Sequence, residues 1–259
     1  MNTSLKEQVK QYWEMKPCGS GDVTFLEEGS REFFDTIEKN RFSGDDFMHD
    51  VVRFDQWNGK KVLEVGCGMG TDLLQFARHG AQVHAVDLTE KGVNLTKRRL
   101  KIYGLSGTIV VGDAERVAFE DNLFDLVYSW GVIHHTPNTN VAARELIRVC
   151  KPGRRILAMV YHRYSLLVLQ AWFYYGLLRG KPFRTGASII AEHLESPGTK
   201  IFSRKEASDL FKGLDQLQVR TIVTRYDLRI GRRFFLPSWV RKIIPSCFGW
   251  FMVVSGVKR

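Results

Sequence analysis

The sequence predicts an α/β fold, a seven-stranded, mostly parallel, doubly wound sheet, on three observations. From Lys60 onward, short runs rich in β-branched residues alternate with longer amphipathic runs, the pattern of an open parallel sheet covered by helices. A glycine-rich turn, VLEVGCGMGTD at 62–72, stands directly behind the first of these runs. An acidic residue then closes the second run, at Asp87, and follows the third, at Asp113.

Taken in order, strands are expected at Lys61–Val65, Gln82–Asp87, Thr108–Val111, Phe124–Ser129 and Arg155–Tyr161, with helices between them at Thr71–His79, Glu90–Tyr103 and Asn140–Cys150. The last helix meets Lys151-Pro-Gly, a terminator before a strand. A helix at Arg204–Phe211 and strands at Gln218–Arg225 and Gly249–Val257 complete the sheet. Residues 161–200 are more than the core pattern requires, and a segment of that length inside an α/β domain is usually functional. Residues 1–55 also lie outside the repeat and are rich in aromatics. Both read as cover pieces over the sheet's carboxyl edge: 1–55 a helical cap, 56–259 the sheet domain, and 161–200 a lid or substrate-binding insertion between strands five and six.

The 259 residues, 44% of them hydrophobic, suffice for one sizeable core, and disorder is excluded as a global description. A net charge of +10 favours an acidic partner such as nucleic acid, a phosphorylated metabolite or an anionic membrane surface, although many enzymes are equally basic. Cys18, Cys67, Cys150 and Cys247 form no CxxC pair, so no zinc knuckle, disulfide framework or other metal site is expected, and a reducing cytoplasm fits. The polar N-terminus lacks the apolar core of an export signal. The apolar stretches 166–178 and 243–254 are too short to span a bilayer.

A dinucleotide fingerprint requires G-x-G-x-x-G, but Thr71 occupies the sixth place; the glycines fall instead as Gly66, Gly68 and Gly70, with Glu64 two places ahead. This arrangement resembles the first motif of class I S-adenosylmethionine-dependent methyltransferases, whose fold is Rossmann-like. The resemblance covers about Val62 to Met159. It implies that Glu64, Gly66, Cys67, Gly68, Gly70, Thr71 and Asp72 surround S-adenosylmethionine, or the product S-adenosylhomocysteine. Asp87, with Leu88, would accept the ribose hydroxyls; Asp113, with Ala114, would meet the adenine. The stretch FDLVYSWGVIHHTP, 124–137, resembles the family's segment after the fourth strand and implies Ser129, Trp130 and Gly131 beside the methionyl part. It is most similar to that of small-molecule methyltransferases related to the quinone and sterol biosynthetic enzymes.

Methyl transfer from a sulfonium consists largely of positioning, and a base is needed only when the nucleophile arrives protonated. His134 and His135 are the foremost candidates because they titrate near neutrality and follow the fourth strand; adjacent residues point apart, so at most one should face the methyl. Tyr12 and Tyr161 are weaker candidates, and Trp13 and Trp130 line a pocket or simply the core. Two stretches, 166–184 and 229–244, mix basic and large apolar residues. Either they dock on a membrane surface or admit an isoprenoid or lipid-like acceptor, or they form a buried lid or dimer contact with arginines at its rim.

The sequence therefore points to an enzyme that methylates a small molecule at O, N or C in a biosynthetic pathway, cytoplasmic or peripheral to a membrane. A nucleic-acid methyltransferase is the alternative suggested by charge, but 129–135 reads SWGVIHH where base-amino methyltransferases carry a Pro-Pro-aromatic turn, and no added RNA-binding module is visible. A catalytically silent cofactor-binding protein is the third reading. The acceptor atom and the oligomeric state are not legible.

Overall fold

Helix caps and β-branched runs locate the elements of the computed structural model, which describes residues 3–230 and 234–259. Gly231, Arg232 and Arg233 of the 229–244 stretch lie outside the described residues. Three N-terminal helices, α1 (Leu5–Met15), α2 (Arg31–Gly44) and α3 (Met48–Val52), precede β1 (Lys61–Val65), α4 (Thr71–Arg78), β2 (Gln82–Asp87), α5 (Glu90–Ile102) and β3 (Thr108–Val111). Then follow β4 (Phe124–Trp130), α6 (Thr139–Val149), β5 (Cys150–Tyr161), α7 (Leu166–Tyr175), α8 (Gly186–His193), α9 (Arg204–Leu210), β6 (Asp215–Ile222), the short β7 (Arg229–Ile230) and β8 (Phe234–Phe235), and β9 (Phe251–Val257). Ser4, Ser30 and Thr89 cap α1, α2 and α5 by accepting a backbone N–H, and Ser203 with Glu206 closes a capping box on α9.

The main sheet has the order β3-β2-β1-β4-β5-β9-β6 and is parallel except for β9, which runs antiparallel to both its neighbours. From β1 the chain winds outward to β3, then crosses back to place β4 on the other side of β1. That reversal opens a crevice at the carboxyl ends of β1 and β4. Alternation along the strands divides the core: Val62, Leu126 and Tyr128 pack on one face, Leu63, Val65 and Val127 on the other.

Several boundaries differ from the expected ones. β5 begins at Cys150, so Lys151-Pro-Gly lies inside the strand, at a register shift opposite Phe124 and Leu126, where a bulge tolerates proline. β6 ends at Ile222, short of Arg225, because Thr224 folds into a turn in which its N–H donates to Asp227. Helix α7, for which the sequence leaves open a membrane or substrate contact, a buried lid or a dimer contact, fully buries only Val168. Among the described residues no helix is long and apolar enough to cross a membrane.

The N-terminal segment is fixed to the sheet by a small core of Val23, Phe33, Phe34, Ile37, Met69 and Leu95. Beside it, Arg99 is wholly buried on α5. Its guanidinium donates to the Phe34 carbonyl at 2.9 Å, the Thr71 hydroxyl at 2.6 Å and the Met69 carbonyl at 3.3 Å, and pairs with Glu38. One side chain thus joins α2 to the glycine turn. Arg99→Met should cost about 3 kcal/mol, because it strands those acceptors without a donor. A melting temperature lowered by roughly 6–12 °C is expected in a thermal scan.

Candidate functional site

The turn between β1 and α4 is built from three glycines with positive φ, Gly66 (+81°), Gly68 (+51°) and Gly70 (+69°). They are not equivalent. A Cβ on Gly66 would stand 2.2 Å from Val132, and one on Gly70 would stand 2.8 Å from Thr96, so these two serve close packing; a Cβ on Gly68 would meet no protein atom within 4 Å. Gly68 is therefore free of a packing need and leaves its backbone open to a ligand. The Asp87 carboxylate at the end of β2 holds the turn in place, accepting the Gly68 N–H at 2.7 Å on one oxygen and the Thr89 N–H and hydroxyl on the other.

Above this turn lies a cavity of about 510 Å³. Of the residues expected at the cofactor, Glu64, Gly66, Cys67, Gly68, Thr71, Asp72, Asp87, Leu88, Asp113, Ala114, Trp130 and Gly131 line it. Gly70 and Ser129 do not: Gly70 faces Thr96, and the Ser129 hydroxyl donates to the Val65 carbonyl within the sheet. Helix α1 borders the cavity through Val9, Tyr12 and Trp13. Its Lys6 pairs with Asp113 at 2.6 Å and Glu115 at 2.8 Å, and its Glu14 accepts the N–H groups of Glu90 and Lys91 at the start of α5.

The floor is acidic. Asp72 accepts the Tyr128 hydroxyl at 2.7 Å and pairs with Arg41 at 3.1 Å, and Arg41 also pairs with Asp45 at 2.7 Å. Glu64 is buried beside them, and its Oε2 has no partner. Desolvation, followed by the repulsion of Asp72, pushes the Glu64 carboxyl well above its usual range. Burial works against the Arg41 charge, but Asp72 and Asp45 outweigh it and raise the guanidinium further. An orphaned buried carboxyl oxygen and an excess of negative charge suit a ligand that brings its own cation, such as a sulfonium or an ammonium.

At the opposite end the wall is aromatic, with Trp130, Tyr161, Trp250 and Phe251 lining the cavity and Tyr161 stacked on Trp250 at 4.1 Å. The two histidines are separated there. His135 reaches the cavity, held by the Ser196 and Thr199 hydroxyls 2.8 and 3.0 Å from Nδ1. Its Nε2 lies 3.3 Å from Glu195 Oε2, close enough for a charge pair though not aligned as a hydrogen bond. His134 lies wholly buried behind Tyr161, and neither of its ring nitrogens has a partner. Desolvation, then His135 and Lys200, hold it well below 6.5.

Glu195 itself is a residue that the sequence reading passed over. It accepts the Tyr161 hydroxyl at 2.8 Å and carries a positive φ of 55°, an uncommon backbone for glutamate. The available signal was the unexplained length of 161–200, which pointed to the segment and not to the residue. Burial and then Glu195 raise the Tyr161 hydroxyl well above 10. The donor atoms of His134, His135 and Glu195 lie within 4.8 Å of one another.

Residues 62–153 match the model of a methyltransferase domain family. The chain is 31% identical over 167 residues to a phthiotriol/phenolphthiotriol dimycocerosates methyltransferase of Mycobacterium ulcerans (60% of this chain, 61% of the relative). It is 36% identical over 141 residues to a fatty-acid O-methyltransferase of Mycolicibacterium smegmatis (51% and 50%). The cycloartenol-C-24-methyltransferase 1 of rice, Oryza sativa subsp. japonica, is 29% identical over 163 residues (59% and 45%). The chain thus spans about three fifths or less of the length of these relatives. Among solved structures, a SAM-dependent methyltransferase of Thermotoga maritima shares the fold with a TM-score of 0.62 at 15% identity, covering 97% of this chain and 100% of that one. The 4+2 cyclase SpnF does so with a TM-score of 0.64 at 16% identity, covering 99% and 97%.

Two tests follow from the site. Gly66→Ala should destabilise the fold through Val132, whereas Gly68→Ala should melt within a few degrees of the parent yet bind S-adenosylmethionine about tenfold or more weakly in calorimetry. Equal affinity would show that no ligand lies against Gly68. His134 is neutral in the fold, whereas in the unfolded chain it titrates near 6.5. The unfolded state therefore binds the extra proton, and stability falls as pH drops below about 6.5. His134→Phe should flatten that acid limb of the melting-temperature profile; an unchanged limb would show that His134 ionises in place.

Proposed function

We propose that this chain, whose core is a class I S-adenosylmethionine-dependent methyltransferase domain, transfers a methyl group to an apolar small molecule that presents a protonated nucleophile. The observation that carries the reading is the two-ended cavity, an acidic glycine-lined floor continuous with an aromatic wall that holds Glu195, His135 and Tyr161. The relatives named for phthiotriol dimycocerosates, a fatty acid and cycloartenol support an acceptor of apolar type.

Bound S-adenosylmethionine supplies a methyl group already activated on sulfur. Asp87, with a lone pair left on the oxygen that accepts the Gly68 N–H, would receive a ribose hydroxyl, and Asp113 the adenine amino group. Glu64 and Asp72 hold the cationic methionyl end in a site shielded from water, which strengthens their attraction. Residues 1–55 act as a cap, Tyr12 and Trp13 closing the cavity above the reacting atoms, and 161–200 supplies the acceptor side through Leu167, Leu194 and Glu195. As the new bond to the methyl forms and the carbon–sulfur bond breaks, the proton of the acceptor passes to Glu195, with His135 and Tyr161 orienting its carboxylate. His134 takes no part.

A cell extract supplied with methyl-labelled S-adenosylmethionine and the purified protein should yield label in the organic phase. Nuclease-sensitive label in the aqueous phase would transfer the reading to nucleic acid, and no label at all would favour a silent binding protein. Glu195→Gln should lower kcat about 100-fold while leaving cofactor affinity within twofold of the parent. Undiminished turnover would show that positioning alone suffices.

A further inference from the structure

Two stretches reach beyond the cavity that Leu167 and Arg229 help to line. Residues 166–184 and 228–248 together hold eight Lys and Arg residues and no Asp or Glu. They also present large apolar side chains to solvent: Leu178 is 62% exposed, Phe183 98%, Trp239 61% and Ile243 69%. A scatter of single exposed apolar residues is ordinary, but a concentration on one rim marks an interaction surface.

The two stretches are rooted at one turn. The Asp227 carboxylate accepts the Leu167 N–H at the start of α7, the Asp227 carbonyl accepts the Gln170 amide, and the next carbonyl, that of Leu228, accepts the Leu236 N–H. The same turn borders the cavity, which Leu167, Tyr226 and Arg229 help to line. Both stretches therefore start from the edge of the acceptor end of the site.

We propose that this rim lies on an anionic lipid bilayer. Phe183, Leu178, Trp239 and Ile243 seat at the boundary of headgroups and acyl chains, while the exposed Arg179, Lys181 and Lys242 meet acidic headgroups. Charge selects this occupant. Arg184 and Arg241 are already paired with Glu192 and Asp46, so a second copy laid patch to patch would bring Arg179, Lys181 and Lys242 of the two copies together, whereas an anionic surface neutralises them. The purpose of the contact, delivery of an apolar acceptor to the cavity, rests on the function proposed above; the surface itself does not.

The test is co-sedimentation of the full chain with vesicles of phosphatidylcholine, with and without phosphatidylglycerol. Binding should require phosphatidylglycerol and weaken with added salt. The double variant Phe183→Ser with Trp239→Ser should partition at least about tenfold less, with melting temperature and S-adenosylmethionine affinity unchanged. A parent protein that stays in the supernatant, or a double variant that sediments equally, overturns the proposal. So does a parent dimer that the double variant dissociates, because the patch would then be a contact between copies. Vesicle binding without transfer of label to any lipid would leave the docking surface standing and sink the proposed acceptor class; transfer without binding would do the reverse.

Discussion

Buried negative charge at the carboxyl end of β1 is the constraint around which this molecule is arranged. Glu64 points from the strand into the crevice and Asp72 enters it from the first turn of α4, both nearly out of solvent. Isolated carboxylates in such a place are expensive. Arg41, carried by α2, offsets Asp72 and Asp45, and the Tyr128 hydroxyl supplies a further donor. The N-terminal segment is consequently part of the electrostatics of the site as well as its cover. Glu64 has no such partner and is pushed toward its neutral form, and a cationic ligand beside it would favour the carboxylate.

The same requirement explains why the glycine turn is held so firmly. A ligand that touches backbone needs that backbone fixed before it arrives, since ordering it later would cost affinity. Asp87 fixes the turn from β2, Arg99 fixes it from α5 and α2, and Val132 and Thr96 close the space beside Gly66 and Gly70. Only Gly68 is left open. Three glycines that look alike in the sequence thus divide into two that pack and one that presents its backbone.

This division also marks how far the sequence could be read. The strands, their mostly parallel arrangement and the acidic residues that end β2 and follow β3 were legible because they depend on local periodicity and on fixed spacing along one crossover unit. Arg41 and Glu195 were not, because each reaches the cavity from a segment outside the repeating pattern, and only tertiary packing brings it there. The pair His134 and His135 shows the limit within a single motif. Adjacent residues in a short helical turn must face different ways, but which one meets the cavity is decided by Ser196 and Thr199, some sixty positions downstream. The strand limits at β5 and β6 failed for a related reason, since a bulge opposite β4 and the turn closed by Asp227 are long-range features.

Helix α1 joins the two ends of the cavity. Its first turn reaches the cofactor side, where Lys6 pairs with Asp113 and Glu115, and Glu14 near its other end accepts two N–H groups at the head of α5. Between them, Trp13 packs edge-on against His135 at 5.3 Å and Tyr12 lines the cavity. A displacement of this helix would loosen the residue expected to meet adenine and the histidine of the acceptor wall together. Eleven residues are too few to hold a helix by propensity alone, so its order depends on the contacts of its two charged anchors, Lys6 and Glu14, being made. Occupancy of either end of the cavity would then favour the arrangement that the other end needs, through packing alone and with no further element required.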